Sequence, residues 1–343
     1  MKIEQSTIAP KAMTRGFSRL TAANASGIAA GATILASGGT VAFPTETVYG
    51  LGADATSAKA IAKIYAAKGR PSFNPLIAHV ANIDAAKAQA IFSAPALALA
   101  EAFWPGPLTL VLPLTEGATI CELARSGLES VALRVPAHPI ARALIEAAGL
   151  PIAAPSANRS GHVSPVTADH VAEDLADSID LILDAGPCPI GVESTIVSCL
   201  SDGPVLLRPG GIARNTLESV LGRTIGTLAE VSATPDRGRR TPAMLAPGML
   251  ASHYAPKAKL RLEAKELAPG EAGLDFGGLF SRAGNVLDLS PDRDLFEAAA
   301  NLFSYLRQLD KSGEKIIAVA PVPEQGLGEA INDRLRRAAA PRT

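Results

Sequence analysis

Thr40-Val41-Ala42-Phe43-Pro44-Thr45-Glu46-Thr47-Val48-Tyr49-Gly50-Leu51-Gly52 opens the stretch that decides the fold, and Lys68-Gly69-Arg70-Pro71-Ser72-Phe73-Asn74-Pro75-Leu76-Ile77-Ala78-His79-Val80 closes it. Val41 to Phe43 is an apolar strand that runs into a proline. Two hydroxyls (Thr45, Thr47), a carboxylate (Glu46) and Tyr49 follow at once. Gly50 and Gly52 free the backbone for close approach or positive φ. Polar groups crowded at the end of a buried strand suit a ligand site in an α/β sheet.

Between the two motifs the spacing predicts a helix. Ala58, Ile61, Ala62 and Tyr65 fall on one apolar stripe, with Lys59 and Lys63 off it. Lys68 continues the stripe, so its stem can be buried and its ammonium pushed into a cleft. Gly69 is a left-handed stop, and Arg70 follows. Pro71 and Pro75 bracket a turn that carries Ser72 and Asn74, and Leu76 to Val80 reads as the next strand, with His79 inside it. Each piece also has a structural reading: Thr45 and Thr47 as turn residues, Lys68 and Arg70 as cations favoured by the helix dipole, His79 as a half-buried histidine. Their concentration in one strand–helix–strand unit favours a site.

Bulk properties narrow the class. A chain of 343 residues favours two domains. A hydrophobic content of 48% supports buried cores, and a net charge of −1 argues against a large nucleic-acid footprint. Cys121, Cys188 and Cys199 form no CxxC and imply neither a zinc site nor a disulfide framework. Residues 1–20 mix charges and lack the apolar core of a signal peptide, and no apolar run reaches the ~18 residues of a membrane span. A cytoplasmic protein with no membrane contact is expected.

Along the chain, residues 1–20 read as an arm and Ser26 to Ser37 as a helix. Alanine-rich helices fit Ile83 to Phe103, strands fit Leu108 to Leu114 and Ser130 to Val135, and a helix fits Pro139 to Ala148. Arg134 lies among apolar neighbours near a strand end; it serves either an internal salt bridge or a bound carboxylate or phosphate. Pro151 to Pro165 is a second strand that empties into hydroxyls and an amide. Ser164 or Thr167 caps the helix that follows, a role compatible with anion contact. Strands at Leu181 to Leu183, Ser194 to Cys199 and Val205 to Leu207 and a helix at Asn215 to Leu221 complete a first domain (21–221). Residues 222–256, with four prolines and a basic cluster, read as a linker. From Lys257 to the end, alternating strands and helices form a small α/β domain.

No P-loop, dinucleotide fingerprint, nucleophile elbow or zincin motif is present. The chemistry must come from the cations Lys68, Arg70, Arg134 and Arg208, the hydroxyls of Thr47, Ser130, Ser156, Ser164 and Ser194, and Asn74, Asn158 and His79. Four cations at strand and helix ends fit a polyanion such as a triphosphate, aided by Mg²⁺ on the phosphates. With no nucleophile–base pair in evidence, the substrates supply the nucleophile while the protein positions and neutralises.

At these residues the chain resembles the YrdC-like family in its long, two-domain form, the threonylcarbamoyl-AMP synthases. The carrying motifs are Pro44 to Gly52, Lys68-Gly69-Arg70-Pro71 with Asn74-Pro75-Leu76, Leu133-Arg134-Val135-Pro136, Pro155-Ser156-Ala157-Asn158 with Ser160-Gly161, Glu193 to Val197, Leu207-Arg208-Pro209-Gly210 and His253-Tyr254-Ala255-Pro256. The resemblance implies a twisted, mostly parallel open sheet with helices around a concave site, joined to a smaller Rossmann-like α/β domain. It implies a nucleotidyltransferase that converts L-threonine, bicarbonate (or CO2) and ATP into threonylcarbamoyl-AMP, pyrophosphate and water. The product passes to the system that makes threonylcarbamoyladenosine in tRNA, and weak direct RNA binding is left open. By the family pattern Thr47, His79, Arg134, Ala154 (through its backbone) and Ser194 form the threonine pocket. Arg70, Asn74, Ser130, Ser156, Ser164, Arg208 and Tyr254 form the ATP site with Asn158 close by, and Lys68 and Arg70 are the catalytic cations. Tyr254 makes the linker a lid. The alternatives are a carbamoyl-adenylate former of the hydrogenase-maturation type and a non-catalytic RNA-binding module.

Overall fold

The computed structural model describes residues 19–70, 74–201, 203–227, 253–280 and 284–341. The expected arm (1–20) lies outside the described residues except for Arg19 and Leu20. So do residues 228–252 of the linker and the turn at Pro71, Ser72 and Phe73.

The first part of the chain forms β1 (Leu20–Ala22), α1 (Ala25–Ala36), β2 (Val41–Phe43), β3 (Gly50–Asp54), α2 (Ala58–Lys68), β4 (Ile77–His79), α3 (Ile83–Lys87), α4 (Ala94–Phe103) and β5 (Leu108–Pro113). It continues with α5 (Glu122–Arg125), β6 (Ser130–Arg134), α6 (Pro139–Ala148), β7 (Ile152–Ala153), α7 (Ala168–Leu175), β8 (Leu181–Asp184), β9 (Thr195–Ser198), β10 (Val205–Arg208), α8 (Arg214–Leu221) and β11 (Gly226–Thr227). Its eleven strands form one sheet in the order β1-β8-β2-β3-β7-β4-β6-β5-β9-β10-β11. The second part contributes β12 (Lys259–Arg261), β13 (Ala272–Asp275), β14 (Val286–Asp288), α9 (Leu295–Ser312), β15 (Ile316–Val319) and α10 (Gly328–Ala339), with a wholly parallel sheet β12-β15-β13-β14. Parallel pairings predominate over the two sheets together. In the large sheet, antiparallel pairs such as β2–β3, β4–β7 and β5–β6 are interleaved with parallel ones such as β4–β6 and β5–β9.

Local chemistry explains the elements around the site. The Ser57 side chain accepts from the Ala60 amide to start α2, and Gly69 ends it in a left-handed conformation at φ 58°. The buried face of α2 is Ala60, Ile61, Ile64, Tyr65 and Lys68, whereas Ala58 and Ala62 are exposed. The stripe is rotated from the expected one because the two isoleucines have far more area to bury than alanine. Thr167, not Ser164, caps α7 by accepting from the His170 amide.

Gly50 to Asp54 is a strand, paired antiparallel to β2. At Gly52 a Cβ would lie 2.7 Å from the Phe43 ring and 2.9 Å from Ile152, so glycine serves close approach there, not positive φ. The helix at Glu122–Arg125 and the strand β1, which pairs with β8 at Leu20↔Ile182, carry no clear periodic signal.

The largest apolar cluster runs continuously from Leu51, Ile61 and Leu133 in the first part to Leu274, Phe303 and Leu335 in the second. Polar contacts join the same two parts: Arg214 pairs with Glu329, Arg307 with Asp174 and Lys311 with Glu173. No helix among the described residues is long and apolar enough to cross a membrane.

Candidate active site

β4 and β6 run parallel, with His79 in register with Arg134. Both strands therefore present a polar residue at the same end, beside Thr47, which follows β2. Arg134 is 4% exposed. Its guanidinium donates from Nε to the Gly106 carbonyl (3.2 Å), from Nη1 to Thr47 Oγ1 (3.0 Å) and from Nη2 to Glu46 Oε1. The other Glu46 oxygen accepts from the Ala137 and His138 amides. Burial alone would raise the Glu46 carboxyl, but Arg134 overcomes it and holds the group below the usual carboxylate range. An arginine has five N–H donors, so this one keeps capacity for a ligand after anchoring the corner. The salt bridge and the ligand role expected for Arg134 are thus compatible.

His79 is buried and its Nδ1 has no partner among the described residues. Burial, reinforced by Arg134, pushes its pKa down to about 3. It is a neutral imidazole at physiological pH and offers a hydrogen bond, not a charge.

On the other side of the cleft stand Arg70, after α2, and Arg208, at the end of β10. Arg70 Nη2 donates to the Pro75 carbonyl (3.2 Å), and burial lowers its pKa to about 10. Arg208 Nη2 donates to the Ser194 carbonyl (2.9 Å) and to Ser194 Oγ (3.2 Å). Ser194 Oγ also shares a hydrogen bond with Thr109 Oγ1 at 2.8 Å. Tyr254 and His253 close the wall. Tyr254 stacks on Phe303 of α9 (5.7 Å, 26°) and meets His253 edge-on (4.2 Å). Its φ of 63° is unusual for a non-glycine residue.

Thr47, Arg70, His79, Arg134, Ala154, Ser156, Ser194, Arg208 and Tyr254 all line this one cleft. The Ala154 amide is committed to the Ile77 carbonyl at 3.0 Å. Lys68 stands behind the wall. Its ammonium donates to the Ser156 and Asn158 carbonyls and so holds the loop after β7. Burial, reinforced by Arg70, takes its pKa well below the usual range. Asn158 supports the same loop by donating to the Arg159 and His162 carbonyls (both 2.8 Å). Ser164 lies beneath the cleft and donates to Glu193, while Ser130 opens β6 opposite Pro113. Neither amide atom of buried Asn74 has a partner among the described residues. Such a group fits a site that receives a polar ligand.

Residue-by-residue reading passed over Glu46, Glu193 and His253 as functional groups. All three stand inside the quoted motifs, so adjacency to Thr47, Ser194 and Tyr254 was the available signal. The cleft encloses about 40 Å³, room for a few waters.

A strand-end cleft walled by buried arginines and holding a neutral imidazole is the kind of site in which an α/β enzyme receives polar or anionic substrates. Residues 33–210 match the Sua5/YciO/YrdC family, described as telomere recombination, and residues 212–340 match the family described as threonylcarbamoyl-AMP synthase, C-terminal domain. The chain is 43% identical over 333 residues to a threonylcarbamoyl-AMP synthase of Bacillus subtilis, covering 92% of this chain and 93% of that one. It is 43% identical to the Pyrococcus abyssi synthase, covering 91% and 93%. The crystal structure of P. abyssi Sua5 complexed with L-threonine superposes with a TM-score of 0.82 at 41% identity, covering 91% of this chain and 94% of that one. The chain belongs to the Sua5/YciO/YrdC family, in its two-domain threonylcarbamoyl-AMP synthase form.

Proposed function

We propose that the protein is a threonylcarbamoyl-AMP synthase that joins L-threonine, bicarbonate (or CO2) and ATP to give threonylcarbamoyl-AMP, pyrophosphate and water. The observation that carries this is one cleft with two unlike walls: the Arg134–Thr47–His79 corner and the Arg70–Arg208–Tyr254 face. The first suits an amino acid, with Arg134 on its carboxylate and Thr47 and His79 on its polar groups. The second suits a triphosphate and its nucleoside. The relative crystallised with L-threonine supports that assignment.

Bicarbonate takes up a proton and loses water to give CO2, which is the source of the water formed; the threonine amine adds to CO2, releases a proton to solvent and becomes a carbamate. A carbamate oxygen attacks the α-phosphorus of ATP, and the bond to the β-phosphate oxygen breaks to release pyrophosphate. Arg70 and Arg208 hold the charge that builds on the phosphates. Lys68 acts through the loop at Ser156 and Asn158, keeping it in place. Closure by Tyr254 and His253 keeps water from the labile carbamate and mixed anhydride.

Among the described residues no group of three His, Cys, Asp or Glu side chains could hold a metal. Glu193, the carboxylate that lines the cleft, is taken by Arg334 and Ser164. Mg²⁺, brought in on the triphosphate, would offset the phosphate charge beside Arg70 and Arg208. The labile product is handed to the transferase that modifies tRNA, and a cytoplasmic location suits that hand-over.

Pyrophosphate release from MgATP and bicarbonate, with and without L-threonine and with L-serine as control, tests the proposal. Threonine-dependent release with a threonylcarbamoyl-AMP mass signal is expected. Release driven by carbamoyl phosphate would transfer the assignment to carbamoyl-adenylate formation.

A further inference from the structure

Glu193 presents an electrostatic problem. Its carboxylate is buried in the wall of a cleft whose other charged lining residues, Arg70, Arg134 and Arg208, are cations. Left uncompensated, it would repel a triphosphate or draw Arg208 onto itself. The countercharge comes from the second part of the chain. Arg334 on α10 is fully buried and donates from Nε to Glu193 Oε2 at 2.7 Å. Its Nη1 donates to the Pro209 carbonyl (3.0 Å) and to Asp333 Oδ2 (2.6 Å). Its Cζ lies 5.2 Å from the centroid of the Tyr254 ring. The remaining Glu193 oxygen accepts from Ser164. One side chain therefore reaches the nucleotide wall at Glu193, at the residue after Arg208 and at Tyr254, and Ser164 through Glu193.

We infer that Arg334 is a positioning residue for nucleotide binding: it neutralises Glu193 inside an anion-binding cleft and keeps Arg208 directed at phosphate. This rests on the proposed nucleotide site. It makes the second domain a supplier of charge to that site. Other contacts keep α9 and α10 seated against the first domain. Arg307 on α9 donates to Asp174 (2.9 Å) and to the Val163 carbonyl, beside Ser164. The half-buried Arg214–Glu329 pair ties α8 to α10 away from the cleft lining.

The test is calorimetric binding of MgATP and, in parallel, of L-threonine to the full chain. The wild type binds MgATP; failure to do so removes the nucleotide site and this proposal with it. Arg334→Met weakens MgATP by at least about tenfold while L-threonine affinity stays within about twofold. Glu193→Gln combined with Arg334→Met recovers MgATP affinity to within about threefold of wild type, because the exposed negative charge is gone. Arg214→Met lowers thermal stability and leaves MgATP affinity alone. A folded Arg334→Met with wild-type MgATP affinity, or a double variant as weak as the single one, overturns the proposal. Should Arg334→Met fail to fold, Arg334→Lys takes its place. A lysine cannot hold Glu193, Pro209 and Asp333 together, so MgATP weakens about threefold or more, and wild-type affinity there overturns the proposal equally.

Discussion

Arg134 and Glu46 form a buried ion pair at the floor of the cleft, and Arg134 spends a further donor on the Thr47 hydroxyl next to its partner. Removing one member strands the other charge in the interior. Arg134→Ala therefore loses about 3–5 kcal/mol of stability and at least about a hundredfold in threonine-dependent pyrophosphate release. The double variant Arg134→Met/Glu46→Met recovers most of the stability and none of the activity. Urea denaturation and the pyrophosphate assay separate the two effects, and MgATP binding to the double variant is retained.

Asn74 gives the opposite sign. Its amide is buried without a partner among the described residues, which costs about 1–3 kcal/mol relative to an apolar side chain of the same shape. Asn74→Leu is expected to raise the melting temperature while raising the KM for ATP by about tenfold or more. A variant that is both stable and fully active would remove Asn74 from the nucleotide site.

Tyr254 combines backbone strain with stacking. At φ 63° a glycine is relaxed and an alanine is not, so Tyr254→Gly is expected to be about 0.5–1 kcal/mol more stable than Tyr254→Ala. Both lose the ring against Phe303 and raise the KM for ATP by at least about tenfold. Chemical denaturation and initial-rate kinetics check the two halves separately.

Two histidines, the buried His79 and the half-buried His170, set the acid limit of stability. His79 and His170 are each pushed down to about 3 by burial. Their folded-state pKa values lie below the unfolded value near 6.5, so the unfolded chain binds more protons. Stability is fully present above pH 6.5 and falls toward pH 3, by about 1.4 kcal/mol per pH unit for each histidine. His170 lies outside the cleft lining and its Nδ1 accepts from the Val166 amide at 3.4 Å. His170→Asn, whose amide oxygen can replace that acceptor, flattens the decline by one histidine's share. Urea midpoints measured from pH 7 to pH 4 in both proteins show the difference.

Much of the architecture was legible locally. Val41–Phe43, Ala58–Lys68 and Pro139–Ala148 form the elements that their apolar spacing and caps announce. Gly50 to Asp54 was not legible as a strand. Its glycines fit either close approach or positive φ until Phe43 and Ile152 are packed against Gly52. The cleft residues Thr47, Arg70, His79, Arg134, Ser194 and Arg208 were visible because each stands at a strand or helix end, where side chains leave the sheet. The place of Lys68 was not, because a long stem with a charged tip is equally compatible with the cleft and with the carbonyls of Ser156 and Asn158 behind it.

The sequence by itself determined where polar groups emerge from buried strands, since strand period, helix stripe, cap and glycine stop are short-range properties of the chain. The tertiary structure alone decided how the buried charges are balanced. Glu46 finds Arg134 across 88 positions and Glu193 finds Arg334 across 141. A carboxylate can be buried only where packing delivers a cation to it, and no local pattern specifies which distant residue that will be.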